Sequence, residues 1–244
     1  MFNYFTFLIY AGLSADNCCF CIKYSIFVHY NYDMKKLLVL CLWFMMVQYI
    51  YGQSKRILFH TAYGDVKVLL YDFTPKHRDL IVDAIQDSVY ANAFFNRIIK
   101  DFVVQGGEHD DAILKREQEN PSAPKQRLDP EFDERAFHKI GALGAGRDDN
   151  PRKASFLNQL YFVVGKAVTA DDLDRLQIQK DITYTDLQRK EYLDNGGLPR
   201  LDKDYTVVGE IYEGLDVMMK ISRLQTEAAD YPLTPVSFNL SLIK

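Results

Sequence analysis

From Ile57 onward the chain is a succession of short β-branched and aromatic runs, each closed by a turn signal, and few folds accept such a pattern. Ile57–Tyr63 and Val66–Tyr71 flank Gly64-Asp65, which predicts an opening β-hairpin. Phe94–Ile99 and Phe102–Gly107 flank Lys100-Asp101 and predict a second strand pair, while Ile140–Leu143, Leu160–Val164, Thr206–Ile211 and Phe238–Ile243 are further strand candidates. Thr74-Pro75 supplies an N-cap and a first-turn proline. Leu80, Ile81, Ala84, Ile85 and Val89 follow at helical spacing, so an amphipathic helix is expected there. Many short strands with few helices predict a mainly β architecture, a sandwich or a barrel.

Two polar segments interrupt the strands. Glu108–Lys139 is charged and proline-containing and reads as a solvated surface loop. Its His109-Asp110-Asp111 run has no second cluster to converge with, so no metal site is expected. Between Thr169 and Leu193 two short helices are expected, because Thr169 with Asp172 and Thr185 with Gln188 have capping-box spacing and Asn195-Gly196-Gly197 can end the second. Both segments read as decoration that the strands do not need. The sequence contains no repeat, no phosphate-cradling glycine loop and no nucleophile turn.

The N-terminal part is of a different kind. Cys18, Cys19, Cys21, Cys41 and Trp43 all precede residue 52, so residues 53–244 hold no thiol for a disulfide, a zinc site or a nucleophile. With 26 basic and 31 acidic residues, that body has a formal net charge of −5 and no footprint for nucleic acid. Met34-Lys35-Lys36, the apolar run Leu37–Val47 and the small Gly52 have the order of a signal peptide over residues 34–52. The run is well short of the ~20 apolar residues of a spanning helix, so no stable membrane anchor is expected. Residues 1–33 lack these features and are expected to lie upstream of a true start at Met34, leaving 53–244 as an exported domain, periplasmic or secreted.

The most informative stretch is Phe95-Asn96-Arg97-Ile98-Ile99-Lys100-Asp101-Phe102-Val103-Val104-Gln105-Gly106-Gly107. It resembles the signature of cyclophilin-type peptidyl-prolyl cis-trans isomerases, F-[HN]-R-x-I-x-x-F-x-x-Q-G-G, at every fixed position. The resemblance continues in Gly141-Ala142-Leu143, in Gln159–Gly165 and in Val207–Val217, and so spans roughly residues 55–244. It implies a closed eight-stranded antiparallel β-barrel capped by two α-helices, at about 75–88 and 213–223, with the helical insertion of longer bacterial members at 167–200. It further implies Arg97 and Gln105 as catalytic residues, a proline pocket of Phe102, Val103, Tyr161 and Leu201 with Gln159 as a polar wall, and Tyr205 among the substrate-binding residues. Proline-containing unfolded or extended polypeptides are the implied partners, and a monomer is expected. The chain departs from the family pattern at Gly146-Arg147, at the bulky Phe156-Leu157-Asn158, at Arg200 where Trp is common and at Tyr205 where His is common.

Elementary chemistry points the same way. An X–Pro bond turns slowly because twisting it breaks amide resonance, a barrier of about 18–20 kcal/mol for a peptide bond. An enzyme need only hold the twisted amide better than the planar one, by donating a hydrogen bond to the nitrogen lone pair and seating the ring, so no metal or cofactor is called for. Arginine suits the donor role, being permanently charged with a rigid fork of N–H groups. If the strands turn near Asp101, Arg97 and Gln105 sit across from one another. Two other readings stay open: a proline-peptide binding or chaperone module with weakened turnover, which the bulky 156–158 segment favours, and a lipocalin-type barrel enclosing an apolar ligand.

Overall fold

The computed structural model describes residues 55–243, so the expectations for residues 1–52 lie outside it. Eight strands form a closed barrel: β1 (Arg56–Thr61), β2 (Gly64–Leu70), β3 (Ala93–Ile99), β4 (Val103–Gly107), β5 (Ala142–Ala145), β6 (Gln159–Val163), β7 (Val207–Glu213) and β8 (Val236–Ile243). Around the barrel they run β1, β2, β7, β5, β6, β4, β3, β8, every pairing antiparallel, with β8 back against β1. Among the described residues five α-helices accompany them: α1 (Pro75–Gln86), α2 (Asp110–Glu119), α3 (Ala170–Lys180), α4 (Asp186–Asn195) and α5 (Leu215–Ile221). Among the described residues no helix is long and apolar enough to cross a membrane.

Period-two alternation decides what each strand does. Ile57 and Phe59, Val66 and Val68, Val104, Leu143, Leu160 and Phe162, Val208, Val236 and Phe238 point into one buried core with Phe95 and Ile98. Phe59 packs edge-on to Phe162 at 4.8 Å and Phe95 lies 4.6 Å from Phe238, so rings fill the barrel rather than leaving a lipocalin-like cavity. The alternate residues of β4 and β6 belong to a second cluster on the outer wall: Val103, Tyr161 and Val163, with Leu198, Leu201 and Val207. Phe102 and Tyr205 pack against it. The candidate site lies on that outer face.

Several local expectations are corrected. The first hairpin turns at Ala62-Tyr63 rather than Gly64-Asp65: the Thr61 hydroxyl donates to the Gly64 carbonyl at 2.8 Å and accepts from the Tyr63 amide, and Gly64 already pairs with Thr61. Thr74 stands at the N-cap of α1, yet no side-chain bond of its own caps the helix. Glu131 does so from 54 residues away, accepting from the Lys76 and His77 amides at 3.1 and 2.9 Å and from His77 Nδ1 at 2.7 Å. A carboxylate is favoured at a helix N-terminus, where free amides and the dipole both attract it.

The 108–139 segment is not simply a solvated loop. It forms α2, which buries Ile113, and it places Arg127 in the interior with 3% of its side chain exposed. That guanidinium pairs with Glu117 at 2.6 Å and Asp148 at 2.8 Å and lies 4.3 Å from the Phe156 ring centroid. In the other insertion both capping boxes form as expected, and Gly196 ends α4 at φ +83°.

Candidate active site

The arginine reaches the outer wall through an irregularity. Phe95 and Arg97 have the same parity, and a regular strand would send both inward. The β3–β4 register shifts between them, pairing Phe95 with Gly106 and Arg97 directly with Gln105, so Phe95 and Ile98 both enter the core. A bulge at Asn96 therefore turns Arg97 outward beside Gln105. The motif's glycines have steric reasons. A Cβ at Gly106 would lie 2.8 Å from the Phe238 ring and 2.7 Å from the Phe94 carbonyl, and Gly107 has φ +90° with Asn158 O 2.1 Å from where its Cβ would stand.

The eight residues expected at the site come together. Arg97, Phe102, Val103, Gln105, Gln159, Tyr161, Leu201 and Tyr205 line one pocket of about 90 Å³, together with Asp110, Gly146 and Arg147. Gln105 pairs with Tyr161 across β4 and β6, and Gly107 with Gln159. Gln159 is buried and donates to the Glu108 carbonyl at 3.1 Å and to the Asp110 carboxylate. Arg97 remains 41% exposed, with its Nε 3.6 Å from Asp230. A wider cavity of about 550 Å³ lies beyond the wall, with Asn96 and Gly107 among its lining, but it contains neither Arg97 nor Gln105.

The departures from the family pattern now have physical reasons. A Cβ at Gly146 would stand 2.0 Å from Gln159 Oε1, so the glycine makes room for the glutamine. Gly144 does the same for Tyr161, whose Cζ lies 2.2 Å from the missing Cβ position. Arg147 lies over the Tyr205 ring at 4.5 Å and donates to the Asp204 carbonyl at 2.6 Å. Arg200 covers the Phe102 ring at 4.4 Å. Phe156 is buried beneath Arg127 and does not line the pocket, whereas Asn158 of the same segment lines the wider neighbouring cavity.

Burial holds the Tyr161 phenol well above the usual tyrosine range, with Tyr205 and Asp202 acting in the same direction, so it stays protonated. His109 caps α2, accepting from the Asp111 amide at 3.1 Å, while Asp110 is drawn to Gln159. Among the described residues no group of three or more His, Cys, Asp or Glu side chains could hold a metal. Sequence reasoning passed over Gly144, His138 and Asp202, which support the pocket from behind.

The family model described as cyclophilin type peptidyl-prolyl cis-trans isomerase/CLD matches residues 56–239, and the chain belongs to this family. A Staphylococcus saprophyticus protein named "Putative peptidyl-prolyl cis-trans isomerase" is 29% identical over 191 residues, covering 78% of this chain and 92% of its own length. A Staphylococcus haemolyticus protein of the same name is 30% identical over 185 residues, covering 74% and 87%. The fold is shared with the crystal structure of a Cryptosporidium parvum cyclophilin type peptidyl-prolyl cis-trans isomerase at a TM-score of 0.55 and 16% identity, over 79% of this chain and 99% of that one. The described body is thus a cyclophilin-type peptidyl-prolyl isomerase domain.

Proposed function

We propose that residues 53–244 isomerise X–Pro bonds of exported polypeptides as a monomer, with Arg97 as the donor to the twisted amide nitrogen. The observation that carries this reading is the Asn96 bulge, which puts Arg97 opposite Gln105 at a pocket of ring size whose lining mixes polar groups with Phe102, Val103, Tyr161 and Leu201. Phe102, Val103, Tyr161 and Leu201 would seat the proline ring, with Gln105 and Gln159 contacting the substrate backbone and Tyr205 closing the rim. The Cryptosporidium parvum relative was also crystallised in the presence of the dipeptide Ala-Pro, which supports a proline ligand on this fold. The export assignment is supported by the Lys35-Lys36 and Leu37–Val47 pattern alone. The alternative, a proline-peptide binding or chaperone module with weakened turnover, is told apart from the enzyme by the rate measurement below.

The test is isomerisation of a proline tetrapeptide by wild type and Arg97→Ala. Loss of one preorganised donor typically costs on the order of 10²–10³ in rate, and the variant should fall in that range. Its stability should change by no more than ~1 kcal/mol, because the Asp230 pair is exposed. Equal rates in the two proteins, both near the uncatalysed rate, would overturn the reading.

A further inference from the structure

Tyr161 and Leu201 are held in the pocket wall from behind, by the helical insertion. The Tyr161 hydroxyl meets His138 Nε2 at 2.7 Å, His138 Nδ1 meets Asp202 Oδ1 at 2.7 Å, and the Tyr192 hydroxyl of α4 meets Asp202 Oδ2 at 2.6 Å. All four side chains are buried. Burial is the main cause that holds both phenols well above the usual range, so both are protonated, and because the Asp202 carboxylate can only accept, a neutral His138 ring carries its hydrogen on Nδ1 and leaves Nε2 as the acceptor. Tyr192 gives its hydrogen to the carboxylate and Tyr161 to Nε2. The His138 amide adds a further bond to Oδ1 at 2.9 Å. One tautomer satisfies the whole chain.

A second set of contacts converges on the same loop. Lys180 at the end of α3 donates to the carbonyls of Arg200, at 2.8 Å, and Asp202, and pairs with Asp204 at 2.7 Å. The Tyr184 hydroxyl donates to the Pro199 carbonyl at 3.1 Å. The segment so fixed carries Leu201 and Tyr205. Apolar residues of similar volume would pack behind Tyr161 without the desolvation cost of a buried carboxylate, whereas directional bonds fix one ring position.

We propose that the insertion at 169–197 is a brace for the proline pocket, acting through Tyr192, Asp202 and His138 on Tyr161, and that His138 and Asp202 are positioning residues that set substrate affinity. The inference rests on the isomerase reading above. A pocket wall meets the ring in both the planar and the twisted state, so loosening it raises KM and leaves kcat in place, whereas Arg97 acts on the twisted state alone.

The decisive variant in the full chain is Tyr192→Phe, because the Tyr192 ring packs on Phe137 and Tyr184 and does not line the pocket. For the same proline tetrapeptide, KM and the Kd from an NMR titration should rise about tenfold with kcat unchanged, on the scale of one lost bond to a buried charge. Combined with Tyr161→Phe it should cost less than the sum of the two, since both act through one chain. If Tyr192→Phe does not fold, Lys180→Met carries the test with the same expected KM-only signature. A folded variant with wild-type KM and Kd, or additive effects in the pair, would overturn the brace. A wild type that binds the peptide without turning it over would overturn the isomerase reading and leave the brace to be judged on Kd. A wild type that does not bind would overturn both.

Discussion

Replacing Arg127 by Met tests whether the 108–139 segment is part of the folded body or an ornament on it. The guanidinium is 3% exposed and bridges Glu117, 16% exposed, and Asp148, 30% exposed. Met keeps most of the volume over Phe156 but takes their shared cation from two partly buried carboxylates, leaving Glu117 with the exposed Lys125 at 3.4 Å and Asp148 with Asn150. Breaking a buried pair from one side costs about 3–5 kcal/mol, and the partial exposure of Asp148 argues for about 3. For a domain of this size each kcal/mol moves Tm by about 2–4 °C, so a drop of roughly 6–12 °C is expected. Differential scanning calorimetry at pH 7 reads it directly, and kcat/KM at 20 °C should stay within about twofold, because Arg127 does not line the pocket.

The acid limb supplies a second check. The Arg127 hydrogen bond is the main cause that holds the Glu117 carboxyl below its ordinary value. For Asp148 burial works upward, and the bonds from Arg127 and Asn150 outweigh it. Both acids are therefore depressed in the folded state, and their contribution is present above their unfolded values near ~4 and lost as pH falls through the folded ones. The gap in Tm between wild type and variant should narrow below about pH 4. A shift under ~2 °C at pH 7 would refute the reasoning and return the segment to the status of a surface loop.

Two further outcomes are expected. Gly144→Ala places a methyl 2.2 Å from Tyr161 Cζ, and with the hydroxyl tied to His138 the ring cannot swing clear. Stability should fall by about 1–3 kcal/mol and KM should rise; a wild-type melting curve would show that the ring is free to move. Intact mass of the native protein should show cleavage near Gly52-Gln53, and a membrane-bound species retaining Met34–Gly52 would count against export through a cleaved signal.

Strands were legible in the sequence wherever alternation was regular, and so were the capping boxes of α3 and α4, because each depends on residues three apart. What escaped notice depended on distance or on broken periodicity. Helix α2, with the sequence DDAILKREQE, buries only Ile113 and so has almost no apolar stripe to detect. Glu131 as the cap of α1 and Asp202 as the partner of His138 lie 54 and 64 residues from the groups they satisfy. The Asn96 bulge is invisible to a period-two count, which would have placed Arg97 in the core with Phe95; only the motif pointed to its side of the wall. Gly64 drew the turn toward itself although the chain uses it at a strand end, where a Cβ would meet Val217 at 3.0 Å.

Because the barrel divides β4 and β6 between two faces, stability and affinity fall to neighbouring residues. Leu160 and Phe162 point to the ring-filled core, while Gln159 and Tyr161 point to the pocket. A substitution on the first set should register as lost stability through a cavity. One on the second set should register mainly in substrate binding. The two demands meet at glycines: Gly106 is confined by Phe95 and Phe238 from inside, while Gly144 and Gly146 are confined by Tyr161 and Gln159 on the outside. At these positions the backbone itself is the packing surface, and any side chain would have to displace a core ring or a pocket residue. Arg97 escapes the conflict because the bulge adds one residue to β3, so the chain keeps both Phe95 and Ile98 inside and still presents a guanidinium outside. Removing that extra residue would force the strand to give up one or the other.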